Sequence, residues 1–384
     1  MSPTLLAEDD EVLARFRSCF PVAETRAYLF SGGLGPAARS VKAAVDNWTD
    51  RWAYDPLYHR ARYFEDWEIV RGQLADLLGC SADAIALTDS TSRASNIAAG
   101  LLDLRPGGNV IVDATTYPSS LYPWYVPGRS VEVRRVASDR PQIEDFHPLV
   151  DDATIAISVS HVSAMTGYRH DLGALAELAH RHGAALVVDA AQSIGALPLD
   201  LATSGVDLLS GVSMKWLLGP PGIGFLYVSP ALADRPAGHV GYVGTDLETN
   251  PDGSAQLVFR HGARRHELGI GNLAGLAGFR SALELVAGIG IARIERRIRR
   301  LTARCIDGLV ARGVDVMTPR EDERRAGVIA ARFPRPEELA RFLRLRGVDI
   351  WGYDSTGRIR VDPHGFNTDE DIDRLLAGLD EFGG

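Results

Sequence analysis

The sequence predicts an α/β protein in which a large, mostly parallel seven-stranded sheet is followed by a smaller α+β unit, and two observations carry that prediction. From Ala84 onward, short apolar runs alternate with helical patterns, the signature of parallel strands joined by crossover helices. After Asn272 that rhythm gives way to a long helical stretch and then to short strands. At 384 residues, 46% hydrophobic and 24% charged, the chain has an ordinary globular composition and the length of two or three packed units.

In order, Ala84–Thr88, Asn109–Val112, Val131–Val136, Thr154–Ser160, Ala185–Asp189, Asp207–Gly211 and Gly224–Val228 read as strands. Ser92–Leu104 and Asp171–His182 place apolar residues at three- and four-residue spacing and read as helices. Arg235–Glu267 is rich in Gly, Asp, Asn and His, too long for an ordinary connector, and reads as a functional or interface loop. Beyond it, Ala274–Arg312 reads as a long helical stretch and Gly327–Phe333 as a strand. Pro336–Leu345 follows as a helix, Val348–Gly352 and Arg358–Val361 as strands, and Asp369–Glu381 as the closing helix.

Several classes of function are excluded by composition. A net charge of −9 leaves no basic footprint for nucleic acid, and the arginines of 293–304 interleave with apolar residues as a solvated helix face. No uninterrupted apolar run is long enough to span a membrane, and Glu8 to Glu11 occupy the place where a signal peptide needs basic and apolar residues, so the expected location is the cytoplasm. Cys19, Cys80 and Cys305 lie far apart, which points to neither a disulfide framework nor a metal site. Lysine occurs only at Lys42 and Lys215, so chemistry that needs an amine nucleophile has two candidates.

The apolar strand Leu186-Val187-Val188 ends in Asp189, and in an open parallel sheet the carboxyl ends of strands face the ligand cleft. Lys215 follows within Ser213-Met214-Lys215-Trp216, in apolar company that lowers an amine's pKa and makes it nucleophilic. Thr88-Asp89-Ser90-Thr91-Ser92 leaves a strand and opens a helix, where backbone N–H groups and the helix dipole attract phosphate.

The stretch Val187 to Val228 resembles the pyridoxal-phosphate motif of the class V aminotransferase family, the fold-type I group of cysteine desulfurases, selenocysteine lyases, kynureninases and isopenicillin N epimerase-like enzymes, and the resemblance runs over nearly the whole chain. It implies the fold-type I transferase fold. On its boundaries, residues 1–35 form an N-terminal segment packing with the small domain, 36–271 the large cofactor-binding domain and 272–384 the small C-terminal domain. It also implies pyridoxal 5'-phosphate as cofactor, held covalently by Lys215 and paired at its ring nitrogen with Asp189. Gln192 is implied near the phenolic oxygen, Thr91 and Ser92 at the phosphate, Ser213 beside them, and Tyr117 stacked on the ring ahead of Pro123-Trp124. Arg360, opening Arg360-Val361-Asp362-Pro363-His364-Gly365-Phe366-Asn367-Thr368, is implied as the grip on the substrate's α-carboxylate, for which a planar fork suits well. A homodimer is implied as well.

The chain departs from the family's pattern in several places. Ala164 stands where the family often has Asn, Met214 where it often has a phosphate-contacting His, and Ile270 where a Thr reaches the neighbouring subunit's phosphate. Val348 to Gly357 carries Trp351, Tyr353 and Asp354 but no cysteine where desulfurases keep their catalytic thiol. The leading expectation is therefore C–S β-elimination on a cysteine S-conjugate. Amino transfer and decarboxylation-coupled deamination are the alternatives within the family, and a binding or regulatory protein that kept the fold without catalysis is the alternative outside it.

Overall fold

The computed structural model describes residues 3–62, 64–128, 131–236 and 238–383. Thr154–Ser160 is buried along its whole length, as a strand covered on both faces must be, and its run Thr-Ile-Ala-Ile-Ser-Val-Ser is correspondingly free of charge. It sits inside a seven-stranded sheet with strand order 85–88, 224–228, 208–212, 185–189, 154–160, 109–113, 132–136. Gly224–Val228 runs antiparallel to both of its neighbours, Leu208–Val212 and Ile85–Thr88. From Leu208–Val212 outward to Glu132–Val136 the pairings are parallel. The carboxyl ends of the six strands that share this direction, 85–88, 109–113, 132–136, 154–160, 185–189 and 208–212, therefore gather at one edge of the sheet.

A four-stranded antiparallel sheet forms the C-terminal unit, ordered 315–316, 329–332, 358–361, 351–353. Helices Pro336–Leu345 and Asp369–Gly383 supply apolar residues to its core, among them Leu339, Leu343, Ile372 and Leu375. The N-terminal segment ties the two sheets together. Ala27–Tyr28 pairs in parallel with Val348–Asp349, Arg17 pairs with Asp371 at 2.7 Å, and the Gly35 N–H donates to the Met214 carbonyl at 2.7 Å.

The long helical stretch 274–312 is two helices, Leu273–Ile289 and Ile291–Ala311, bent by 78°. Gly290 makes the break, with φ of 87°, a conformation in which any other residue is strained. No single helix among the described residues is long and apolar enough to cross a membrane. The arginines of the second helix reach acids elsewhere rather than simply facing water: Arg293 pairs with Asp9 at 2.6 Å and Arg304 with Asp373 at 2.6 Å. The segment 235–267 also differs from a plain loop, since Thr245–Thr249 and Ala255–Phe259 form an antiparallel hairpin. Val348–Gly352 divides into Val348–Asp349, which pairs with the N-terminal segment, and Trp351–Tyr353, which joins the four-stranded sheet.

Candidate active site

The strand ends meet the C-terminal unit around a cavity of about 350 Å³. Of the residues singled out in the sequence, Lys215, Asp189, Gln192, Thr91, Ser92, Tyr117 and Arg360 all line it. They arrive from five separate chain segments, which is the strongest single argument that the cavity is built for chemistry.

Lys215 sits in the turn between Leu208–Val212 and Gly224–Val228. Burial pushes its amine down to about 8, against a smaller opposing pull from Asp189. The Nζ lies 5.6 Å from the centre of the Tyr117 ring. The lysine turn closes through the Leu218 N–H on the Lys215 carbonyl at 3.0 Å, with Leu218 held at φ 58°, a strained left-handed conformation for a leucine. Gly195 meets the same turn so closely that a Cβ there would lie 2.4 Å from the Trp216 carbonyl oxygen.

Asp189 ends its strand buried, with one carboxylate oxygen accepting from the Ser120 hydroxyl at 2.8 Å and the other from the Ala191 N–H at 2.9 Å. Ser120 is approached in turn by Ser95, which donates to Ser210 at 3.2 Å. Sequence reasoning missed Ser120. Its signal was the hydroxyl-rich run beside Tyr117, but nothing local to that run points at residue 189.

Thr91 and Ser92 are the first residues of the helix Thr91–Leu101, whose N-cap Ser90 accepts from the Arg93 N–H. A helix of this length directs its unpaired first-turn N–H groups and positive dipole end outward, here toward the cavity wall formed by Ser90, Thr91 and Ser92. The strand beneath comes very near: a Cβ on Gly224 would lie 2.6 Å from the Ser90 backbone. A buried bidentate pair, Arg71 to Glu267 at 2.8 and 3.0 Å, steadies the other side of this turn, because Glu267 also accepts from the Leu87 N–H at 2.7 Å.

Gln192 is more heavily committed than its sequence reading implies. Its amide donates to the Gly32 carbonyl at 3.0 Å and accepts from the Trp216 indole at 2.9 Å and from Arg360 at 3.0 Å. Gly32 has to be glycine for this arrangement, since a Cβ would fall 2.4 Å from the Arg360 guanidinium. Arg360 is itself buried, with Nε donating to Asp362 at 2.9 Å. Asp362 escaped the sequence reading as a partner for Arg360, although alternation along Arg358–Val361 already placed 358, 360 and 362 on one side.

Ser213 is a correction. It is fully buried and lies outside the cavity, its hydroxyl donating to the Pro220 carbonyl and lying 3.2 Å from the Ile223 carbonyl. The turn that presents Lys215 consumes that hydroxyl, so Val212, Met214 and Lys215 line the cavity there while Ser213 does not. Ala164 also lines the wall, whereas Ile270 lies in a separate hollow with Asn272 and His266.

The residues present fit pyridoxal phosphate group by group. A depressed amine faces the aldehyde's chemistry, a buried carboxylate suits a protonated ring nitrogen, a helix start with hydroxyls suits a phosphate, and Tyr117 offers an aromatic face. The family model described as aminotransferase class-V matches residues 28–375. An uncharacterized aminotransferase, YcbU, of Bacillus subtilis is 28% identical over 94% of this chain and 97% of its own length. A probable cysteine desulfurase of Methanothermobacter thermautotrophicus is 28% identical over 96% of this chain and 97% of its own. Among solved structures, a cysteine desulfurase of Thermococcus onnurineus superposes with a TM-score of 0.84 at 24% identity, over 96% of this chain and 97% of that one. The cystine C–S lyase C-DES, in complex with cysteine persulfide, superposes with a TM-score of 0.85 at 21% identity, over 94% and 98% of the two chains, a likeness of fold.

Proposed function

The chain belongs to the class V aminotransferase family and is a pyridoxal-phosphate-dependent enzyme, and from that premise we propose that it cleaves the C–S bond of a cysteine S-conjugate by β-elimination. The observation that carries the proposal is the state of its thiols. Among the described residues no cysteine lines the cavity. Cys305 is buried in the core of the C-terminal unit, where burial pushes its thiol up to about 12, and Cys80 is pushed up to about 11, mainly by burial. A thiol must ionise to accept sulfur, and burial opposes ionisation in both.

The cofactor, when bound, supplies an electron-withdrawing ring that stabilises negative charge at the substrate's Cα. Lys215 would take the Cα proton onto Nζ, a role for which an amine that is half neutral near pH 8 is well matched. As that proton leaves, the Cβ–S bond breaks and its electron pair departs on sulfur. The released three-carbon fragment hydrolyses to pyruvate and ammonia. Asp189 would hold a proton on the ring nitrogen, Thr91 and Ser92 would hold the phosphate at the helix start, and Tyr117 would fix the ring's tilt. Arg360, buried beside the cavity, would receive the α-carboxylate. Tyr353 lines the cavity, and its ring adjoins that of Trp351, which stacks on Phe30 with ring centres 5.3 Å apart. The aromatic rings that line the cavity, Tyr117 and Tyr353, offer apolar faces suited to a substituted sulfur.

Purified holoenzyme incubated with a panel of cysteine S-conjugates, followed by mass spectrometry, tests this. Elimination gives pyruvate, ammonia and a thiol in equal amounts. An amino group passed to an added keto acid without pyruvate, or release of carbon dioxide, overturns it. A companion variant with Cys19, Cys80 and Cys305 all replaced by serine is expected to keep most of its activity. Loss of turnover with fold and cofactor intact would restore a persulfide mechanism.

The same reading includes a homodimer. Leu247 and Leu257 face each other across the hairpin, 69% and 49% exposed, and Tyr122, Tyr125 and Tyr242 are exposed as well. Apolar surface of that kind asks for a cover, which a second copy supplies. Sedimentation at working concentration should give twice the chain mass, and a fully active monomer removes this part of the proposal.

A further inference from the structure

Arg358 and Arg360 both point into the cavity, because residues two apart along a strand share a face. Their electrostatic situations are opposite. Arg360 donates to Asp362 and to Gln192, and so enters the cavity already paired with a carboxylate. Arg358 is only 4% exposed, yet among the described residues it meets no carboxylate. Its Nη1 donates to the Met165 carbonyl at 2.6 Å, its Nη2 reaches the Met165 sulfur at 3.3 Å, and its Nε is buried without any partner. The Tyr353 ring stands 5.0 Å from its guanidinium carbon. Burial lowers the Arg358 pKa, whereas for Arg360 the neighbouring Asp362 outweighs burial and raises it.

An unpaired buried charge is costly unless something arrives to pair with it. Neither Asp189 nor Asp362 hydrogen-bonds Arg358: Asp189 accepts from Ser120 and the Ala191 N–H, and Asp362, whose Oδ1 accepts from Arg360, reaches Arg358 only through its field, which burial of the guanidinium outweighs. We propose that Arg358 forms a subsite for a second anionic group of the substrate, so that the preferred substrate is an amino acid whose side chain itself ends in a carboxylate or a sulfur oxyanion. This rests on the amino-acid reading above and names the substrate class within it. The α-carboxylate goes to Arg360, and the side-chain anion accepts from Arg358 beside Tyr353 and Met165.

The test is calorimetry on the cofactor-loaded protein with unreactive probes: butyrate as a monoanion, glutarate as a dicarboxylate and 3-sulfopropionate as a mixed dianion. Both dianions are expected to bind at least about tenfold more tightly than butyrate, a modest effect for one charge-assisted pair. The ratio between glutarate and 3-sulfopropionate reports which anion the subsite prefers. Arg358→Gln, which retains a donor for the Met165 carbonyl, should bring dianion and monoanion to within about twofold of each other, and Arg358→Lys should restore part of the preference. Absorbance of the bound cofactor and the melting temperature verify that both variants are folded and loaded. No preference for dianions in the unmodified protein, or a preference that survives Arg358→Gln, overturns the subsite. So does equal weakening of butyrate and glutarate in that variant, which would make Arg358 a general carboxylate anchor. A protein that takes up no pyridoxal phosphate defeats the functional reading and this inference together, whereas one that takes it up and ignores the second charge defeats this inference alone.

Discussion

Replacing Lys215 with alanine is expected to lower turnover by about four orders of magnitude or more, since a positioned proton-transfer group alone contributes about 10²–10⁴-fold and the covalent hold on the cofactor is lost with it. Lys42 cannot stand in. It lies exposed on the helix Arg39–Tyr54, paired with Asp46, far from the apolar surroundings that depress an amine. Borohydride reduction of the holoenzyme followed by peptide mapping should find the cofactor on the segment containing Lys215; an adduct on Lys42 rejects the assignment. The depressed amine also leaves a signature in the cofactor-free protein. Below pH 8 the folded and unfolded chains both hold the proton, and the cost of burying the charge is fully present. As pH rises from about 8 toward 10.5 the folded chain gives up its proton first, so the unfolded state binds more protons and stability increases. The window corresponds to about 3 kcal/mol, gained by the natural protein and not by Lys215→Ala. Parallel pH–stability curves for the two would show that Lys215 is not buried as described.

The parts of this site that the sequence disclosed are those in which a local pattern and a global role coincide. Asp189 and Lys215 could be placed because each ends or follows a strand whose apolar run is unmistakable. The helix start at Thr91 could be placed for the same reason. What stayed hidden depends on contacts between distant residues or on a single backbone angle. Arg71 and Glu267 are 196 positions apart, and neither neighbourhood announces the other. The hydroxyl of Ser213 could serve a phosphate or close a turn, and only the position of the Pro220 carbonyl decides between them. Helical periodicity continues smoothly across 274–312, so the 78° bend is invisible until Gly290 is seen at positive φ. The hairpin at 245–259 is exposed on both faces over much of its length, so it lacks the buried alternation by which strands are normally found. Arg358 is a case of a different kind: its alternation with Arg360 was legible, but its lack of a carboxylate partner is a property of the folded cavity.

Asp189→Ala is expected to lower turnover by two to three orders of magnitude, because a preorganised charge that stabilises charge developing at the reacting centre is commonly worth about 3–4 kcal/mol. The surroundings of this carboxylate separate its electrostatic role from a structural one. Its two oxygens accept from Ser120 and from the Ala191 N–H, contacts that would hold the end of the strand in shape even without any charge. Asp189→Asn keeps the shape and one acceptor oxygen while removing the negative charge. If Asp189 acts through charge, Asn should lose nearly as much turnover as Ala, and the absorbance of the bound cofactor should change in both variants because its ring nitrogen is no longer kept protonated. If the residue merely braces the strand, Asn should behave almost like the natural protein while Ala loses stability and cofactor together. Ser120→Ala supplies the intermediate case: it deletes one donor to the carboxylate without removing the charge, so its effect should be small, about tenfold or less, and should leave the cofactor spectrum unchanged. Near-normal turnover in Asp189→Asn would assign the ring nitrogen's proton to some other group in the cavity.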